Sequence, residues 1–569
     1  MKFKRIKEFF HRIFTPETVF FGFLILLLIP NILLSYTENL KPVAVAANIL
    51  APLGVYAFLM TLSKNLGRSM WIFLPIVLLA ITQIVLLTLY GRSVIAVDMF
   101  LNITTTNGEE SGELFGSIFP IIVLVTMLYL PSLIVGVWMW KKNIHLPSMF
   151  RSYTRIISMI VALNGIACGF IAGATDHAYS MRNDLYPVNA AYNMTLAAKH
   201  SYRIADHEDA VRDFRFDAVC HRPDSLKELY VIVIGETSRA DNWQVCGYTR
   251  ETNPLLSKRT DLLAFRKALS ESNTTHKSVP LLLLSHLTAE NYGDSIYNVR
   301  SIITAFKEAG YSTAFISNQT PNNSFIQFFG EEADDIDYIC QRGSHCDTDL
   351  LPHLDKVLEK GNRRQLVIIH GYGSHFSYRD RYPRSEAHFV PDTYKEMGVQ
   401  WKAELINAYD NSILVTDRLL DGVIERLENS GADLSAMIFT ADHGEDLYDD
   451  GRGLLLHSSP CPTFYQLHVP FLVWLSPGFA DEPTGIRKNL TANINSGLSS
   501  SLSLFDTAMD IAAITTARSP LRWSLARPDY SAPSRCYLND HNHSVTLRQS
   551  GFIDIDFRHL DDMESGKSR

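Results

Sequence analysis

Three stretches of this 569-residue chain deliver carboxylates and imidazoles straight after short apolar runs. Val231–Ile234 is β-branched and continuously apolar, the pattern of a strand covered on both faces; Gly235 frees the backbone for a turn and Glu236 follows. Met437–Thr440 leads through Ala441 into Asp442-His443-Gly444-Glu445, and Leu366–Ile369 leads into His370-Gly371-Tyr372-Gly373-Ser374-His375. In open α/β sheets the carboxyl ends of the strands form the ligand edge. A carboxylate from one strand end beside an Asp-His pair from another makes a divalent-metal site, and mixed nitrogen and oxygen ligands suit zinc better than manganese. Each piece also has an ordinary reading: Asp-His-Gly as a turn, Glu236 as the cap of a helix near Asp241, His370 as a buried structural residue. The combination carries the argument.

A nucleophile stands elsewhere. Asn273-Thr274-Thr275-His276-Lys277-Ser278-Val279-Pro280 precedes an apolar helix expected over Leu281–Leu287, with Ser278 or a neighbour as cap and Pro280 in the first turn. Hydroxyls beside a helix N-terminus sit where backbone N–H groups favour a phosphate, so a metal-bound threonine alkoxide there would attack phosphorus. Without the metal site the same segment reads as a Ser/Thr-rich cap.

The elements that must position these residues begin at Leu226. Helical patterns at Ser301–Ala309, closed by Gly310, and at about Trp401–Leu427 alternate with strands at Ser312–Ile316, Leu366–Ile369, Met437–Thr440 and Val469–Leu475. This alternation predicts a mainly parallel central sheet with helices on both faces.

The first third of the chain differs. Five apolar segments near Val19–Leu34, Val43–Leu62, Met70–Tyr90, Ile118–Trp140 and Ile156–Ala174 each approach the length of a membrane-spanning helix. Lys2, Lys4, Arg5, Lys7 and Arg12 precede the first, Lys64 and Arg68 follow the second, and Lys141, Lys142, Arg151 and Arg155 follow the fourth. The connection carrying Glu109, Glu110 and Glu113 is acidic. The positive-inside rule therefore places the N-terminus in the cytoplasm and everything after Ala174 outside it. The loop from Ser93 to Ser117 is long enough for an interfacial helix. The expected divisions are a transmembrane domain at 1–174, a bridge at 175–225 with a helix at Ala190–Lys199, a catalytic domain at 226–550 and a tail at 551–569. Six of the seven cysteines follow the last span, as suits an oxidising compartment, and Cys340 and Cys346 are the expected local pair. A net charge of −8 with no basic stripe argues against nucleic-acid binding.

Taken together these features resemble the phosphoethanolamine transferases of the bacterial inner membrane, members of the alkaline phosphatase/sulfatase superfamily. The resemblance rests on Gly235-Glu236-Thr237-Ser238-Arg239, the segment Gly247–Pro254, Gly373-Ser374-His375 with Arg381-Tyr382-Pro383, Asp442-His443-Gly444-Glu445 and His468-Val469-Pro470. It implies an α/β periplasmic domain of that fold below five membrane helices. It also implies zinc ligands at Glu236, Asp442 and His443, and a zinc-bound nucleophile at Thr275, five residues before Pro280, with Thr274 the nearest competitor. His375 and His457 match histidines that bind a second zinc or the phosphate and assist proton transfer, and Asn318 and Glu445 match substrate contacts. The chain departs from the family where Glu271 and Leu281 replace a flanking cysteine pair, where His457 stands farther from His443, and where no lysine lies near Asn318.

The implied reaction is ping-pong transfer of phosphoethanolamine from phosphatidylethanolamine, through Thr275, to lipid A or another envelope glycan, by a monomer whose helices meet membrane lipid. The alternative within the superfamily is a phosphoglycerol transferase or phosphodiesterase using another lipid donor. A sulfatase proper lacks support, because no Cys-x-Pro-x-Arg arrangement exists. An inactive scaffold conflicts with the retention of Glu236, Thr275, Asp442 and His443 together, and a transporter with the scarcity of ionisable residues in mid-span.

Overall fold

The computed structural model describes residues 15–38, 40–90, 108–176, 179–284, 287–321, 324–342, 346–395, 398–480 and 482–566. They fall into two compact units, one drawn from residues up to 199 and the other from residue 200 onward, with the start of the helix at Gly108 grouped with the second. The N-terminal lysines and arginines up to Arg12, and residues 93–107 of the proposed interfacial loop, lie outside the described residues.

The first unit is helical: α1 (Pro16–Thr37), α2 (Pro42–Met60), α3 (Leu66–Ile72), α4 (Leu74–Tyr90), α5 (Gly108–Lys141) and α6 (Ser148–Thr175). Among the described residues four helices, α1, α2, α5 from Phe119, and α6, are long and apolar enough to cross a bilayer; α3 and α4, bent by 53° to one another, pass the same test only as a pair, which makes four to five apolar spans. The third apolar segment, expected near Met70–Tyr90, is thus divided between two helices. Pro75 explains the break, since it has no N–H for the Trp71 carbonyl one turn earlier. Helices α2 and α6 approach through glycine: a β-carbon on Gly54 would lie 2.3 Å from the Ala162 nitrogen, and one on Gly165 2.2 Å from that of Ala51. The helix expected at Ala190–Lys199 runs Val188–Ala205.

The second unit is organised by an eight-stranded sheet. Its strands are β1 (Glu228–Gly235), β2 (Leu262–Leu269), β3 (Ser312–Ser317), β4 (Asp335–Tyr338), β5 (Arg364–His370), β6 (Leu434–Ala441), β7 (His468–Leu475) and β8 (Leu498–Ser499), in the spatial order β8-β2-β7-β6-β1-β5-β3-β4. From β6 to β4 all pairs are parallel, whereas β7 runs antiparallel to both neighbours. The sheet is thus mixed rather than uniformly parallel. β1 explains the continuously apolar run: Tyr230, Ile232 and Ile234 enter one core, and Leu229, Val231 and Val233 the other. The long helix α8 (Lys402–Asn429) covers the second face with Leu405, Tyr409, Ile413, Leu420 and Ile424. The helix α7 (Thr275–Leu283) sends Leu281, Leu282 and Leu283 into the first.

The residues expected as a C-terminal tail contain a helix, α9 (Asp554–Ser565), whose Asp556 is fully buried. No disulfide joins the described cysteines, so the expected Cys340–Cys346 bridge is not formed; Cys346 Sγ lies 3.1 Å from Thr348 Oγ1 instead.

Candidate active site

Strand register brings the first two site residues together. Gly235 pairs with Ala441 at the last rung between β1 and β6, so Glu236 and Asp442 leave the sheet side by side. The turn after β1 is held in an uncommon shape. Thr237 has φ +54°, a left-handed conformation costly for a β-branched residue, and all its polar groups are engaged. Its N–H donates to Asp442 Oδ1 at 3.0 Å, its hydroxyl to Glu236 Oε1 at 2.6 Å, and its carbonyl accepts the Tyr409 hydroxyl at 2.8 Å. Gly373 lies against the same turn: its φ is +55°, and a β-carbon there would stand 2.4 Å from the Glu236 carbonyl oxygen. Only glycine fits.

Helix α7 starts six residues before the expected apolar helix, with Thr274 as cap and Thr275 as its first residue. Pro280 is inside it rather than in its first turn; the His276 carbonyl, which a proline cannot satisfy, accepts the Tyr292 hydroxyl at 3.4 Å. Half-buried Thr275 therefore sits at the positive end of a helix. Its Oγ1 lies 3.1 and 3.2 Å from the two Glu236 oxygens and 3.1 Å from His443 Nε2.

The donor set fits a divalent cation. Asp442 Oδ1 is spent on two backbone N–H groups, but the buried Oδ2 accepts no hydrogen bond and faces His443 Nε2 at 3.3 Å. His443 Nδ1 lies 3.0 Å from the Gly444 carbonyl, so it carries the proton and Nε2 is bare. A bare imidazole nitrogen and a bare carboxylate oxygen at that distance repel one another unless a cation or a shared proton lies between them. Ligand atoms of Glu236, His443 and His457 also lie within 4.8 Å of one another. Burial pushes the Asp442 carboxyl up to about 7, the response of an acid in low dielectric, which a bound cation would reverse.

His375 and His457 lie beside this cluster. The His457 ring is 4.3 Å from that of His443 and 6.0 Å from that of His375, centroid to centroid. His375 Nδ1 donates to the Phe376 carbonyl at 2.7 Å, leaving Nε2 bare. Burial lowers His375 to about 4 and His457 to about 3, so both are neutral near pH 7. Glu445, expected to contact substrate, is fully buried with Oε1 3.1 Å from His457 Nδ1, and burial raises its carboxyl strongly. It orients His457.

His457 follows a hairpin in which Asp446–Leu447 pairs with Leu455–Leu456. Arg452 at its tip donates to both oxygens of Asp556 in α9, at 2.7 and 2.8 Å. Asn273, two residues before Thr275, fastens the two loops together. Its side-chain nitrogen donates to the Ser459 carbonyl at 2.7 Å and to Gln466 Oε1 at 2.6 Å, its side-chain oxygen accepts the Tyr537 hydroxyl at 2.7 Å, and its backbone carbonyl accepts Ser458 N–H at 3.2 Å.

Asn318 is placed differently from the sequence expectation. Its amide nitrogen donates to Asp347 Oδ1 at 2.8 Å, and the neighbouring Gln319 reaches the site instead, donating to Glu236 Oε2 at 3.0 Å. Gln319 was legible in principle, because it follows the carboxyl end of β3. Asn273 and Thr237 carry no comparable signal. His370 is buried with its Nδ1 3.5 Å from Ser317 Oγ, outside the ligand cluster.

The sulfatase family matches residues 228–514. The Kdo(2)-lipid A phosphoethanolamine 7''-transferase of Escherichia coli (strain K12) is 31% identical over 281 residues, 47% of this chain and 47% of its own length. Phosphatidylethanolamine transferase Mcr-1 of Escherichia coli is 27% identical over 422 residues, 70% of this chain and 75% of its own. The integral membrane lipooligosaccharide phosphoethanolamine transferase A from Neisseria meningitidis superposes with a TM-score of 0.68 at 22% identity, covering 90% of this chain and 99% of that one.

Proposed function

The chain belongs to the sulfatase family, and from that premise we propose that it transfers phosphoethanolamine from phosphatidylethanolamine to lipid A or another envelope glycan, through a covalent adduct on Thr275. One observation carries the reading: a half-buried threonine hydroxyl at a helix N-terminus, within 3.2 Å of both Glu236 oxygens and of His443 Nε2. The relatives named for phosphoethanolamine or phosphatidylethanolamine transfer support the transferred group and the donor.

Glu236, Asp442 and His443 would hold the metal, for which their mixed donors favour zinc. When bound, zinc lowers the pKa of a hydroxyl and polarises a phosphoryl oxygen. Thr275 Oγ attacks the phosphodiester phosphorus, the bond to the diacylglycerol oxygen breaks, and the proton lost by Thr275 ends on the released diacylglycerol. The N-terminal N–H groups of α7 face the phosphoryl charge. An acceptor phosphate or hydroxyl then attacks the adduct and its proton returns to Thr275. His375 and His457, neutral with basic nitrogens near the site, relay that proton or bind a second metal. Thr237 and Gln319 hold the Glu236 carboxylate in place.

The charge asymmetry of the spans supports a cytoplasmic N-terminus and a periplasmic catalytic unit in the bacterial inner membrane. A donor assay tests the function: the purified protein in mixed micelles receives labelled phosphatidylethanolamine or phosphatidylglycerol. Diacylglycerol release from the former is expected. Release from phosphatidylglycerol alone would reassign the chain as a phosphoglycerol transferase.

A further inference from the structure

The membrane unit contains a cavity of about 680 Å³ at the break of the third span. Its mouth carries Lys64, Arg68 and His145, and its walls Leu62, Ile72 and Ile76. The break itself shapes it: α3 and α4 diverge by 53°, and the α5–α6 connection is tied beneath them, with Leu146 N–H donating to the Lys64 carbonyl at 3.1 Å and Asn65 Nδ2 to Asn143 Oδ1 at 3.2 Å.

The charge here is one-sided. Neither the stretch from Thr61 to Gln83 nor that from Leu114 to Thr175 contains an aspartate or glutamate. Lys141 and Lys142 lie at the end of α5, Arg151 and Arg155 in the first turns of α6, and Arg155 donates to the Thr61 carbonyl at 2.9 Å. Among the described residues no carboxylate pairs with Lys64 or Arg68, and both side chains are exposed. Leu62 and Ile72 are exposed too, at 55% and 64%. Leu59, Leu62, Ile72, Phe73 and Ile76 give the cavity one apolar side, which an acyl chain satisfies better than water. A zwitterionic headgroup would bring its own ammonium against two fixed cations. A lipid with a net negative headgroup satisfies both the mouth and the walls, with its phosphate at Lys64 and Arg68 and its acyl chains along Leu62, Ile72 and Ile76.

We propose that this cavity binds an anionic phospholipid in the leaflet that the charge asymmetry assigns to the cytoplasm, separately from the zwitterionic donor of the reaction. The proposal does not rest on the catalytic reading.

Native mass spectrometry of the full-length protein in detergent tests it, with an equimolar mixture of phosphatidylglycerol, phosphatidylethanolamine and phosphatidylcholine of matched acyl chains. Phosphatidylglycerol adducts are expected to dominate, and the preference to fall roughly fivefold for each cation removed in Lys64→Gln and Arg68→Gln. Both side chains are on the surface, so the variants keep the helical core, and unchanged melting in the absence of lipid verifies that. Ile76→Trp fills the apolar part while keeping the cations, and is expected to lose the adduct. No headgroup preference in the parent, or a preference surviving in the double variant, overturns the proposal. Displacement of phosphatidylglycerol by inorganic phosphate would assign the mouth to a free oxyanion and overturn it as well.

Discussion

Glu271 lies four residues before Thr275 and is buried, accepting Ala289 N–H at 3.1 Å and the Ser499 hydroxyl at 3.2 Å. Burial raises its carboxyl from 4.5 to about 7. Between those values the folded chain holds a proton that the unfolded chain has lost, so stability falls as pH rises through the window and this contribution is gone above it. Glu271→Gln should make the pH dependence of thermal unfolding shallower by one proton, about 1.4 kcal/mol per pH unit at most, and should be more stable than the parent above about pH 8. Asn273→Ala should cost on the order of 2–4 kcal/mol in urea unfolding, because it strands the Ser459 carbonyl, Gln466 and the Tyr537 hydroxyl, all deprived of a partner. Its turnover should fall as well, since Asn273 ties the Thr275 loop to the His457 loop. The proposed ligand residues Glu236, Asp442 and His443 could be picked out in the sequence because they follow two buried strands together, each alone having an ordinary reading. Asn273 could not, since an asparagine in a hydroxyl-rich loop reads as a turn residue and its partners lie more than 180 residues away.

At the scale of elements, the hairpin that precedes His457 depends on a helix distant in sequence. Asp556 accepts from Arg452, from Phe464 N–H at 3.0 Å and from Ile553 N–H at 3.0 Å, so it fixes the hairpin tip, the following helix and the start of α9 together. Asp556→Asn keeps the shape but removes one of the two ionic partners of Arg452, leaving Asp450. Turnover should drop roughly tenfold as His457 loses its placement, while the first metal, proposed on Glu236, Asp442 and His443, should be retained by elemental analysis. Periodicity gave the parallel strands β1, β3, β5 and β6 because each is buried on both faces. It missed β2, in which Arg266 and Lys267 interrupt the apolar pattern, and it could not show that β7 runs antiparallel, which depends on long-range pairing. The start of α7 was misplaced because Pro280 looks like a first-turn proline, whereas here it is tolerated within the helix.

For the whole molecule, composition separated the membrane third from the catalytic part, and the bend at Pro75 is the main departure from five plain spans. The catalytic unit is proposed to run a metal-dependent covalent cycle on Thr275 alone. Intact-protein and peptide mass spectrometry of the full-length protein incubated with phosphatidylethanolamine, beside Thr275→Ala and a chelated sample, tests it directly. A phosphoethanolamine adduct mapped to Thr275, absent from the variant, suppressed by chelation and restored by zinc, is the predicted result. An adduct that persists in Thr275→Ala, or none in the zinc-loaded parent, would contradict it.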